Sequence, residues 1–397
     1  MKRIFLVIGS FIIAIVIFVS CSKKSDTTVT APTYDAVKAA LGTNIDPNNL
    51  VNYANQTKPA YIVKENTGAN AITNAKATLG RVLFYDKNLS IDNSISCASC
   101  HKQEFAFGDT ALVSKGVSGG VTGRHSMRLV NARFGVENKF FWNERAASLE
   151  IQTTQPVQDH AEMGFSGQSG RPTIATLLTK LQAINYYKEL FQFVYGDATI
   201  TEARMQECMA QFVRSIQSFD SKYDAGRALV ANENQPFPNF TANENAGKNL
   251  FITPPVFDIN GSRTGGGLGC NGCHNAPEFD IDPNTRNNGI IGTINSPTLD
   301  LLNTRAPSLR DLTKTNGIPN TPMMHTGVLT TLQQVIGHYG IINIAPGNNN
   351  LDPRLRPNGV GQKLNLTAQE VIDVIAFLKT LAGTNVYIDA KWKNPFL

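Results

Sequence analysis

Cys97-Ala98-Ser99-Cys100-His101 and Cys270-Asn271-Gly272-Cys273-His274 are the two stretches on which the reading of this 397-residue chain turns. Both are Cys-x-x-Cys-His, the attachment spacing of c-type haem. Two thiols add to the two vinyl groups, and the next residue sets an imidazole beneath the iron. Four thiolates around one zinc is a poorer account, because the pairs lie much farther apart than in zinc ribbons and both carry the histidine. A thioredoxin-like redox pair belongs on a βαβ pattern, and none is present. The sequence therefore predicts two covalent haem c groups. One sits on Cys97 and Cys100 with His101 as iron ligand, the other on Cys270 and Cys273 with His274.

Working outward, the flanks are helical. Thr201–Phe219 places Met205, Cys208, Met209, Phe212, Val213, Ile216 and Phe219 on one face at spacings of three and four. Cys208 lies on that stripe and reads as a buried free thiol. Thr241 with Glu244, and Thr367 with Glu370, form capping boxes. They open helices that run to about Phe251 and bury Val371, Val374, Ile375, Phe377, Leu378 and Leu381. Residues 275–300 read as a long loop, and no convincing strand pattern is found. The fold class is mainly α: two cytochrome-c-like helical halves, each with a cysteine motif between helices, joined by long irregular connections. The Pro-bearing loop Asn232–Asn239 marks the domain boundary.

The start of the chain is different. Met1-Lys2-Arg3 is a basic n-region and Ile4–Val19 an apolar run, ending in Ser20-Cys21. The apolar part is short and gives way at once to a polar stretch, as in a signal peptide rather than a membrane span. A small residue before Cys21 resembles a bacterial lipobox. The expected product is a periplasm-facing lipoprotein anchored to the membrane through lipidated Cys21. The net charge of +5 includes Lys2 and Arg3. No basic block remains elsewhere, so nothing points to nucleic acid. The expected layout is signal peptide 1–20, tether 21–65, first haem domain 66–235 and second haem domain 236–397, with order beginning near Ala71.

The residues around the motifs resemble the bacterial diheme cytochrome c peroxidase family, including its MauG-type members. The resemblance runs from about residue 75. It rests on Leu79–Asp86 leading into the first motif, Ala106-Phe107-Gly108-Asp109, Gly123-Arg124 through Asn131, Phe141-Trp142-Asn143-Glu144-Arg145 and Glu162-Met163-Gly164. In the second half it rests on Ala306–Arg310, His325-Thr326-Gly327 and the helical stretch Thr331–Tyr339. It implies two haem domains, with the final helical segment packing back on the first. It also implies hydrogen peroxide as substrate and a small cytochrome c or copper protein as electron donor. Dimerisation is common in the family, so a homodimer is among its implications.

The resemblance assigns roles residue by residue. Glu162 falls on the catalytic glutamate, which would move a proton between the peroxide oxygens. Gln152 falls on the distal-pocket glutamine, and Trp142 on the tryptophan between the haems. Read alone, these could be an exposed carboxylate, a helix-face amide and a core aromatic. Many members carry a distal histidine about sixteen residues after the first motif histidine, where this chain has Val117. The first iron is therefore expected to be open, with His125 the alternative ligand. Fourteen residues after His325, where many members have methionine, stands Tyr339, as in MauG-type enzymes. It is the expected sixth ligand of the second iron, with His338, Met324 and Met323 as alternatives. Asn143 replaces the usual aspartate. Calcium, where the family binds it, would fall on Asn320, Pro322 and the His125 carbonyl. The competing functions are MauG-type oxidation of a protein side chain and a diheme electron carrier without peroxide chemistry.

Overall fold

Two helix pairs of the same design organise the chain. The computed structural model describes residues 32–397 apart from 137, 138, 295 and 306. The signal peptide and Cys21 lie outside the described residues. The helices are α1 (Asp35–Leu41), α2 (Asn74–Tyr85), α3 (Cys97–Cys100), α4 (Leu149–Gln158), α5 (Ile174–Gln182), α6 (Asn185–Tyr195), α7 (Glu202–Ser215), α8 (Lys222–Arg227), α9 (Ala242–Ile252), α10 (Leu332–Gly340), α11 (Ala368–Lys379) and α12 (Asn385–Ile388). In the first half α2 crosses α7. In the second α9 crosses α11.

Both crossings are made at a glycine. A β-carbon on Gly80 would come within 1.9 Å of the Cys208 carbonyl oxygen, and one on Gly247 within 1.9 Å of the Asp373 carbonyl oxygen. Only a residue with no side chain lets the backbones approach so closely. Four residues later each helix carries a phenylalanine. Phe84 packs on Phe212 and Phe107, and Phe251 on Phe377 and Phe279.

The helix starts follow local chemistry. Thr201, Thr241, Thr331 and Thr367 each accept the backbone N–H three residues on, and the last three complete capping boxes. Such a cap stabilises by about 1 kcal/mol. The expected loop 275–300 differs from its reading. It contributes β3 (His274–Asn275) paired with β4 (Asp280–Ile281), and β5 (Gly292–Thr293) paired with β6 (Ser296–Leu299). Ahead of these, β1 (Pro255–Phe257) pairs with β2 (Arg263–Gly266). All three are antiparallel two-stranded ribbons. Strands of two to four residues are too short to show an alternating pattern.

Tyr34–Leu397 forms a single unit, within which the core is divided. Buried apolar residues up to Ile216 pack in two first-half clusters, and those from Tyr223 to Leu381 in two second-half clusters. The changeover thus falls between Ile216 and Tyr223, ahead of the Pro-bearing loop expected to divide the halves.

The expected tether needs correction over its described part. Val37, Leu41 and Ile45 are buried against α5 and α6, and Tyr53 and Ile62 are fully buried. Polar residues dominate this segment, but its hydrogen bonds are made to the fold. The Tyr53 hydroxyl donates to the Lys391 carbonyl (2.5 Å), and Gln56 Nε2 to the Ser215 carbonyl (2.8 Å). The Tyr61 hydroxyl donates to Asp224 (2.9 Å), and the Val63 amide to Glu278 (3.0 Å). The segment straps the two halves together.

The end of the chain also differs in detail. α11, the last strong helix in the sequence, stays in the second-half core. What returns to the first half is the tail beyond it: Val386 and Trp392 are buried in a first-half cluster, and Trp392 Nε1 donates to Ser215 Oγ (3.2 Å). Among the described residues no helix is long and apolar enough to cross a membrane.

Candidate functional site: two cavities and the wall between them

α3 is a single turn, and it exists because Ser96 and Ser99 cap it reciprocally. It carries Cys97 and Cys100 as free thiols. His101 ends the turn. Its Nδ1 donates to the Phe107 carbonyl (3.1 Å). A carbonyl can only accept, so Nδ1 holds the proton and Nε2 is left with its lone pair. Phe107 adopts φ +59° and Ala106 φ +54°, the left-handed backbone that folds this carbonyl back over the ring. Burial lowers the His101 pKa and keeps the imidazole neutral.

Beside His101 lies a cavity of about 420 Å³ whose wall includes Trp142, Arg145, Gln152 and Glu162. Gln152 comes from α4. Glu162 sits on the turn after it, fixed from two sides. Its amide donates to Asp159 Oδ1 (3.0 Å), and its carbonyl accepts the Val117 amide (3.0 Å). Burial raises the Glu162 carboxyl to about 7, Asp159 adds to the rise, and Arg145 opposes it. Val117 itself is buried, in a loop seated on the Glu162 turn. A β-carbon on Gly116 would come within 1.8 Å of the Ala161 carbonyl oxygen, which shows how closely that loop is seated.

The second motif lines a larger and more apolar cavity of about 610 Å³, formed by His274, Leu268, Met323, Met324, Ile336 and Tyr339 among others. Cys270 and Cys273 are free thiols. Burial lowers His274 to about 4, with the Arg354 charge adding to the effect. His274 Nδ1 is buried without a partner.

Of the alternatives for the second site, Tyr339 and both methionines line the cavity, whereas His338 does not. The His338 Nε2 donates instead to the Asn288 carbonyl (2.9 Å). Burial raises the Tyr339 phenol well above its ordinary range, and a hydrogen bond from Asn288 works against the rise.

Both cavities share a wall containing Trp142 and residues 125–128. Trp142 Nε1 donates to the His125 carbonyl (2.7 Å), and the indole meets the His325 ring edge-on at 6.1 Å. His125 Nδ1 donates to the Ala111 carbonyl (2.9 Å), and its Nε2 is buried without a partner. The structure thus brings Glu162, Gln152, Trp142 and His101 around one space, and His274 and Tyr339 around another. Asn288 and Arg145 were not singled out from the sequence. No spacing pattern marks an amide in a loop, and nothing beyond its place in Phe141–Arg145 distinguishes Arg145 in the sequence.

Haem fits these surroundings on three counts: paired free thiols, imidazoles that burial keeps neutral, and cavities of suitable size. The calcium assignment does not gain similar support. Among the described residues no group of three or more His, Cys, Asp or Glu converges on a metal position. Asn320 Oδ1 is buried and unpartnered, but the His125 carbonyl already accepts the Trp142 indole.

Residues 74–231 match the family model described as di-haem cytochrome c peroxidase. The methylamine utilization protein MauG of Methylophilus methylotrophus is 28% identical over 329 residues, covering 81% of this chain and 87% of that protein. The cytochrome-c peroxidase IdrP1 of Denitromonas iodatirespirans is 27% identical, covering 82% of this chain and 86% of its own. Among solved structures, a MauG-like protein associated with microbial copper homeostasis superposes with a TM-score of 0.64 at 28% identity, over 86% of this chain and 99% of that one. The diheme peroxidase BthA of Burkholderia thailandensis shares the fold, with a TM-score of 0.60 at 20% identity, over 85% of this chain and 94% of that one. Residues 74–231 thus match a family of oxidoreductases, the di-haem cytochrome c peroxidases, and relatives named MauG and cytochrome-c peroxidase align with about four fifths of the chain.

Proposed function

We propose that this protein reduces hydrogen peroxide to water at a haem held by Cys97, Cys100 and His101, with electrons delivered through a second haem on Cys270, Cys273 and His274. The donor is a small cytochrome c or copper protein. The balance is one peroxide, two electrons and two protons giving two waters. The observation that carries the reading is the convergence of Glu162, Gln152 and Trp142 on the cavity beside His101. When bound, the haem supplies the iron and the electrons for the reduction.

The chain's own groups supply the rest. Glu162, held near neutrality by burial, takes a proton from the nearer peroxide oxygen and returns it to the farther one, which then leaves as water. Gln152 orients the substrate. Trp142, in the wall common to both cavities, offers an aromatic path between them. The loop that carries a distal histidine in many members is here seated on the Glu162 turn with Val117 buried, which supports a first site that is open at rest. We also place the protein at the periplasmic membrane through a lipid on Cys21, and divide it into two haem domains. Calcium has no part in the reading.

A second reading, oxidation of a protein side chain, is favoured by Tyr339 lining the second cavity. An electron carrier without peroxide chemistry leaves Glu162 and Gln152 with no task. Stopped-flow mixing of the fully oxidised protein with peroxide tests the proposal. A spectral change within milliseconds is expected, followed by turnover with reduced cytochrome c. No reaction before reduction would sink the open first site, and reaction without donor turnover would favour the second reading.

A further inference from the structure

Asn288 stands at the point where three of the four candidate ligands of the second haem meet. Its Nδ2 donates both to the Tyr339 hydroxyl (3.0 Å) and to the Met324 sulfur (3.2 Å). Its backbone carbonyl accepts His338 Nε2 (2.9 Å). The amide cannot easily turn over, because its Oδ1 accepts the Ile290 amide (3.1 Å). The neighbouring residue fixes the loop. Asn287 is fully buried, its backbone pairs with Asn350 and Asp352, and its side chain exchanges hydrogen bonds with Asn348 (2.9 and 3.0 Å).

The three contacts have different consequences. A donor aimed at the Tyr339 oxygen stabilises it as a phenolate, the form that binds ferric iron, once its proton has passed to solvent. The same donor on the Met324 sulfur occupies a lone pair that sulfur would otherwise offer to a metal. The carbonyl turns the His338 imidazole away from the cavity. Met324 also holds φ +68°, a left-handed backbone that a side-chain-bearing residue adopts only under constraint. That backbone brings its thioether into the cavity beside Tyr339 rather than away from it. Two ligands of opposite effect on haem potential are therefore within reach of one amide.

We propose that Asn288 selects the sixth ligand of the second haem, presenting Tyr339 and withholding Met324. This rests on the reading that Cys270, Cys273 and His274 hold that haem and that Tyr339 is its ligand. Asn288 is a positioning residue: it acts through the side chains it holds.

The test uses the full protein with both haems attached. Resonance Raman of the ferric wild type should show phenolate modes, and these should vanish in Tyr339→Phe. Asn288→Asp keeps the shape and removes the donor. It should lose the phenolate modes, gain the near-infrared sulfur-to-iron band of methionine ligation, and shift the midpoint potential of the second haem upward. Adding Met324→Leu should abolish that band. Asn288→Ser is read in the same way if Asn288→Asp takes up fewer than two haems. Phenolate modes retained at wild-type strength in the Asn288 variants would overturn the selection and leave the Tyr339 reading intact. Loss of those modes with no sulfur band would also overturn it, reducing Asn288 to a support for Tyr339. A wild type without phenolate modes would overturn the Tyr339 reading itself.

Discussion

The two Cys-x-x-Cys-His segments share a motif and a framework but end in different chemistry. Each follows a helix with glycine at the crossing and phenylalanine four residues on. Each is followed within six residues by a phenylalanine at positive φ, Phe107 (φ +59°) and Phe279 (φ +57°). In the first half the Phe107 carbonyl accepts His101 Nδ1. In the second the Phe279 carbonyl accepts the Leu309 amide (3.2 Å), and His274 Nδ1 has no partner. A ligand imidazole that donates its far N–H is fixed in rotation and is a stronger base. The opposite walls differ too: Glu162, Gln152 and Arg145 face the first space, whereas methionines and aliphatic residues line most of the second. One motif thus sits in two surroundings that differ in polarity and in hydrogen bonding.

That contrast can be broken most sharply at Glu162. Glu162→Gln should lower peroxide turnover by about 10²–10⁴-fold, the usual worth of a positioned acid–base group, with both haems still attached. Met324→Leu, in the second cavity, should leave turnover within about twofold, because a methionine-to-leucine exchange conserves volume. Equal losses in steady-state assays would show that the cavities are not divided as described.

The next effect concerns the loop under Glu162. Gly116→Val must displace the Ala161–Glu162 turn, since even a β-carbon falls within 1.8 Å of the Ala161 oxygen. Turnover should drop about tenfold or more, and urea unfolding should show a loss of about 1–3 kcal/mol.

Proton linkage gives a smaller effect. Because burial raises the Glu162 carboxyl to about 7, kcat/KM should rise with pH through that value as the carboxylate forms. For stability the sign is reversed. Between its unfolded pKa and about 7 the native state holds a proton that the unfolded state has released, so stability falls as pH rises through this window. Glu162→Gln should therefore stabilise the protein at pH 8, by about 1–3 kcal/mol, and change little at pH 4. Thermal melts at the two values check this. Finally, Tyr61→Phe removes a strap hydrogen bond to Asp224 and should cost about 1 kcal/mol in urea unfolding, with no change in turnover.

Much of the framework was legible in the sequence because it rests on local rules. The capping boxes at Thr241 and Thr367 appear where side-chain spacing puts them, and so does the apolar stripe of the Thr201 helix from Met205 to Val213, although the helix ends at Ser215 and leaves Ile216 and Phe219 outside it; Cys208 is buried as that stripe implies. The matched glycines at 80 and 247, each with phenylalanine four residues on, were also written in the sequence. As single small residues inside helical patterns they carry no periodic signal. The strap was missed for a different reason. Residues 34–65 are polar, and their order comes from hydrogen bonds to partners far along the chain, such as Asp224 and Lys391.

The sequence by itself determined the two attachment motifs and the helices around them, since each depends on residues adjacent in the chain or one helical turn apart. Only the tertiary structure decided which side chains and carbonyls surround each motif. It seated the Val117 loop on the Glu162 turn, put Trp142 in the wall of both cavities, left His274 Nδ1 without a partner, and brought Asn288 against both Tyr339 and Met324. These are contacts between segments tens to more than a hundred residues apart. They arise from closing the chain around two cores, which no local pattern encodes.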